Sequence, residues 1–159
     1  MDRPLPRLLL VGNAAHAEMQ PVRDCLGTLV PQKQLRRAAS LTEAMDECAA
    51  AGDFPDLIVV CQIWSDEYLR DDVAALFAAF PLATILCCYG SWCDSDGRSR
   101  DIWPSGVRVP VRSAPPLIAR LWKSAVAGEP PLPSTAGIED AFARLHAGRI
   151  RHRKRGAVV

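Results

Sequence analysis

The chain has no apolar run long enough to cross a bilayer; its longest, LLLV and LIVVC, fall far short. The opening MDRPLPR lacks the apolar core of a secretory signal, and the expected location is the cytoplasm. No C-x-x-C pair occurs among the six cysteines, which removes zinc-ribbon and thioredoxin-like readings. No G-x-G-x-x-G or P-loop follows the first apolar run, so nucleotide binding has no local support. No histidine stands between His16 and His146, and no Ser/His/Asp constellation can be assembled. Arg98 and Arg100 fall on either side of the spacing that a Cys-x5-Arg phosphatase loop would need after Cys93. DSDG, Asp94 to Gly97, is read as a turn, because the further ligands of a calcium loop do not follow.

What is present is the composition of a globular domain. At 159 residues, 49% hydrophobic and 23% charged, the chain can close one core and carry a short extension. Cys25, Cys48, Cys61, Cys87, Cys88 and Cys93 are irregularly spaced, four of them in or beside apolar runs, and read as small buried hydrophobes. The net charge of +1 conceals an asymmetry. Arg144, Arg149, Arg151, Arg153, Lys154 and Arg155 fall in a stretch with no acid, while the rest has thirteen basic residues against eighteen acidic ones. A basic tail follows an acidic body.

Short apolar runs alternate with helical periodicity. RLLLVGN, Arg7 to Asn13, suits a buried strand ended by a turn. Met19, Val22, Leu26 and Leu29 share one helical face between Ala17 and Leu29. KQLRRAAS reads as an edge strand guarded by charge. Ser40 to Glu43 forms a capping box that opens a helix through Ala51, and Gly52 stops it. DLIVVCQI has the near-continuous apolarity of a central parallel strand. A third helix is expected from Asp66 to Phe80, with Leu69, Val73, Leu76, Phe77 and Phe80 inward. ATILCCY and GVRVPV supply the fourth and fifth strands, and a last helix runs from Pro115 to Gly128 with Leu117, Ile118, Leu121 and Trp122 inward. The alternation argues for an open, doubly wound α/β domain with a parallel sheet over residues 1–128. Residues 129–159 read as a Pro-rich linker, a short helix and a basic end.

One stretch breaks the pattern. Tyr89 to Gly106 holds three glycines, a proline and two tryptophans without helical period. A long structureless loop in a compact domain is uncommon and often functional.

The order of elements and the phrases RLLLVGN, PDLIVV and ATILCCYG resemble the receiver domain of bacterial two-component response regulators, over about Arg7 to Ala127. The resemblance implies a flavodoxin-like, three-layer fold with five parallel strands in the order 2-1-3-4-5, the fourth helix short or replaced by a loop. It places the site at the carboxyl ends of the strands. There a receiver carries two acids for Mg²⁺, a phosphorylated aspartate, a Thr or Ser, and a lysine. This chain has Gly12 and Asn13 at the acids, Cys61 at the aspartate and Cys87 at the Thr or Ser, with Arg112 the cation nearest the lysine position. Without the nucleophile and the acids, neither Mg²⁺ nor the covalent step is expected. The competing assignment is another three-layer α/β domain.

The leading expectation is therefore a stand-alone, non-enzymatic pseudo-receiver without cofactor or metal, acting in signalling or regulation through a protein partner. Trp64, Trp92 and Trp103, with Arg98 and Arg100, are the candidate interaction surface, since Trp is enriched at binding hot spots. The bland alternative has the tryptophans pinning the loop down. Two other classes compete. A nucleic-acid-binding regulator would use Arg149, Arg151, Arg153, Lys154 and Arg155 on phosphates, without aromatic residues for stacking. A thiol redox or metal sensor would use the cysteines, without an evident activating group.

Overall fold

The computed structural model describes residues 4–94, 102–104 and 107–130. Four fully apolar residues open the sheet as β1 (Leu8–Val11), all buried, as a strand covered on both faces requires. A 3-10 turn at Ala17–Met19 leads into α1 (Gln20–Leu29), which Pro21 opens. There follow β2 (Leu35–Ala38), α2 (Leu41–Ala51), β3 (Leu57–Gln62), α3 (Arg70–Ala79), β4 (Thr84–Tyr89), β5 (Arg108–Pro110) and α4 (Ala114–Ala127). All neighbouring strands pair parallel, in the order β2-β1-β3-β4-β5. That is the expected flavodoxin-like arrangement. In the described part of the β4–β5 connection, a 3-10 turn at Ser91–Cys93 is the one helical element.

The two-residue period of the strands divides the core into two layers. Leu8, Leu10, Val59, Cys61 and Cys88 face α1 and α4, where Leu26, Ile118 and Trp122 close over them. Leu9, Val11, Ile58, Val60 and Cys87 face α2 and α3, meeting Leu41, Cys48, Val73 and Leu76. Each fully buried aliphatic side chain contributes about 1.5–3 kcal/mol relative to exposure, so these layers carry the stability.

The capping box forms with a shift. Ser40 Oγ accepts the Glu43 N–H at 3.1 Å, and Glu43 reaches past the cap to the Ala39 N–H at 2.7 Å. α3 starts four residues later than the expected start at Asp66, and Leu69 is 66% exposed rather than inward. The cause is local. Glu67 is spent on the Ile63 N–H at 2.8 Å, and Tyr68 turns into the core to donate to the Cys61 carbonyl at 2.7 Å. Residues 63–69 are thereby held as a loop. Among the described residues no helix is long and apolar enough to cross a membrane.

Candidate functional site

The carboxyl ends of β1, β3 and β4 meet above the sheet, where open α/β folds place their ligands. Here the crevice is filled by the chain itself. Gly12, just past β1, has φ +98° and donates its N–H to the Ala38 carbonyl. A Cβ on it would lie 2.5 Å from Tyr68 Oη and 2.6 Å from the Cys61 carbonyl oxygen. Asn13 beside it is exposed.

Cys61 is fully buried and Tyr68 closes over its carbonyl. Burial pushes its thiol up to about 12; the Glu67 carboxylate adds to the rise and the Arg23 guanidinium opposes it. Its register partner across β4 is Cys88, not Cys87. Cys87 belongs to the α2/α3 layer, where its Sγ donates to Gln62 Oε1 at 3.5 Å. Cys61 and Cys87 thus lie on opposite faces of the sheet and do not share one pocket. Burial raises the Cys87 and Cys88 thiols well above their ordinary range as well. Arg112 is exposed in the 3-10 turn at Val111–Ser113. Among the described residues, no group of three or more His, Cys, Asp or Glu side chains could hold a metal ion.

Above the filled crevice stands an aromatic cap. Trp64, two residues past β3, and Trp92, in the turn after β4, are 50% and 66% exposed. Their ring centroids are 5.9 Å apart at 39°, and His16 meets Trp64 edge-on at 6.4 Å. Polar contacts hold the loops together beneath. Ser65 Oγ donates to the Trp92 carbonyl at 3.1 Å. Glu18 takes the Ser91 N–H at 3.1 Å and the Ser91 hydroxyl at 2.7 Å. Arg23 donates to the carbonyls of Ala14 and His16, fixing the loop after β1. Arg108 lies 4.2 Å over the Tyr89 ring and donates to the Cys93 carbonyl.

Trp103 does not join the cap. It is 3% exposed, packed edge-on against Tyr68 and Phe77 in the α2/α3 layer. It pins the connection down, so its place in the candidate interaction surface is withdrawn. Arg98, Arg100 and the tail residues Arg149, Arg151, Arg153, Lys154 and Arg155 lie outside the described residues. Glu18, Ser65, Tyr68 and Ser91 escaped sequence reasoning, because each acts through a contact between loops that no local spacing announces.

At the opposite, amino end of the sheet a cleft of about 250 Å³ is lined by Arg7, Lys33, Gln34, Arg36, Cys48 and Asp53 among others. Asp53 bridges Arg7 and Arg36 and is the one acid against three cations in the lining of the cleft.

No family model matches the chain, and no curated protein matches it. Among solved structures, a trimeric coiled coil of yeast Spc42 fused to another structure aligns at 12% identity and a TM-score of 0.43, covering 94% of this chain and 85% of that one; the likeness assigns no family.

Proposed function

We propose that this chain is a non-catalytic pseudo-receiver of the cytoplasm, which acts in signalling or regulation by docking a protein partner rather than by taking up a phosphoryl group. The reading rests on the exposed Trp64–Trp92 pair at the carboxyl edge of the sheet. Two large aromatic rings are left half in water there, at a place the fold favours for ligands, and such rings dominate binding energy when a partner covers them. The crevice below supports the same reading. Tyr68 and the Cys61 carbonyl take the space that an acidic side chain at position 12 would need, and the positive φ of Gly12 suits glycine alone. A sensor based on thiols is the weaker alternative, since burial holds Cys61, Cys87 and Cys88 protonated.

Two measurements test the proposal. Titration with Mg²⁺ and beryllofluoride is expected to leave the amide NMR spectrum unchanged; shifts around Cys61 would defeat it. Affinity capture is expected to recover a partner with the wild-type chain and to lose it with Trp64→Ala and Trp92→Ala combined. A partner held equally by both proteins would move the interface elsewhere.

A further inference from the structure

We propose that the aromatic cap docks the chain's own basic segment, Arg144 to Arg155, so that the interaction surface is covered until a partner displaces that segment. The inference rests on the cap being a docking surface and names its resident occupant. Charge and ring chemistry select it. The described loops at the carboxyl ends of β1, β3, β4 and β5 carry the carboxylates Glu18, Asp66, Glu67 and Asp94 against one cation, Arg112. With Asp71 and Asp72 of the first turn of α3 the acids number six, against four cations once Arg70, Arg23 on the Ala14 and His16 carbonyls, and Arg108 on Tyr89 and Cys93 are counted, so the edge keeps an acidic excess. Arg70 opens α3 and remains exposed. A guanidinium group stacks well on an indole face, and two such faces stand side by side here. The segment supplies six cations and no acid.

The chain can also reach. α4 runs back against the parallel strands, so its end at Gly128 lies at the amino edge of the sheet, opposite the cap. β3, six residues long, spans about 20 Å. Thirteen residues, 131–143, precede Arg144, and even with the expected short helix among them at about 1.5 Å per residue they can span roughly 30 Å, beyond that distance.

The test uses the full chain and its own fluorophores. Trp103 and Trp122 are buried at 3% and 4% exposure, so acrylamide quenching reports on Trp64 and Trp92. The comparison is with a full-length variant carrying Arg149→Ser, Arg151→Ser, Arg153→Ser, Lys154→Ser and Arg155→Ser. At low ionic strength the variant is expected to be quenched about twofold more strongly, with the difference gone near about 1 M salt, where the screening length is about 3 Å. A synthetic peptide of residues 144–155 should restore protection to the variant, and lose its binding when Trp64→Ala and Trp92→Ala are added. Equal quenching of the two chains at low salt would overturn the inference. So would protection that appears only after a duplex oligonucleotide is added, which would assign the segment to phosphates. If the segment fails but the paired Trp substitutions still abolish partner capture, the docking surface stands and its self-occupancy falls.

Discussion

Glu18 and Ser91 are 73 residues apart in the chain, yet one carboxylate takes both the backbone N–H and the hydroxyl of Ser91. The contact ties the start of the first helical turn to the loop that presents Trp92. It is the polar clamp of the cap.

Removing the clamp should loosen the cap more than the core. Glu18→Ala deletes two charge-assisted hydrogen bonds at a part-exposed site, with an expected loss of about 1 kcal/mol in urea unfolding. Acrylamide quenching of Trp92 should rise in the same variant, while near-UV circular dichroism from buried Trp122 stays unchanged. Glu18→Gln keeps an acceptor and should fall between the two.

Gly90 provides an independent check on the same clamp. A Cβ there would overlap Glu18 Oε2, although the backbone itself, at φ −82°, is unstrained. Gly90→Ala should therefore displace the carboxylate and reproduce the Glu18→Ala loss. In the Glu18→Ala background the same change should cost little. A double-mutant cycle in urea checks this, and additivity of the two losses would contradict the geometry.

Gly12 is a stricter position. It combines φ +98° with a backbone carbonyl 2.6 Å from the site of any Cβ, and that carbonyl belongs to the central strand. Gly12→Ala should cost on the order of 2–4 kcal/mol, from backbone strain plus overpacking. Tyr68→Phe removes the second obstacle, Oη, but leaves the carbonyl, so it should not rescue the loss. Thermal unfolding of the three variants separates these contributions.

The buried thiols give a prediction in pH. The folded-state value of Cys61 is raised from 9.0 to about 12, so below pH 9 both the folded and unfolded chains keep the proton. Between 9.0 and about 12 the unfolded chain releases it first, and stability falls as pH rises through that window. Urea midpoints measured across it should decline less steeply in Cys61→Ala once each curve is set against its own value at pH 8. In native protein at pH 8, Cys25, the part-exposed thiol, should be alkylated well before Cys61, Cys87 and Cys88.

The architecture was legible because burial on both faces leaves a plain mark. LLLV and LIVVC have no polar residue to place in water, and the capping residue Ser40 and the stop at Gly52 sit where local chemistry puts them. The site was read less well. Cys61 and Cys87 looked like neighbours at one pocket, but strand register decides which face each side chain takes, and register depends on partners far along the chain. The third helix is expected from Asp66, and only the Ile63 N–H shows that Glu67 is spent on the loop before it. Three tryptophans in loops were equivalent as letters. The side of the sheet on which each loop lands separated Trp103 from Trp64 and Trp92.

The outer strands add a constraint on what can bind. β2 is four residues long with Arg36 and Arg37 in its middle, and β5 is three residues long and ends in Pro110, which has no N–H to offer. Neither border suits a visiting strand, in another copy of the chain or in an extended peptide. On the proposed docking role, recognition would therefore be spoken in side chains, with a partner chosen by what its residues are rather than by its readiness to lie flat as backbone.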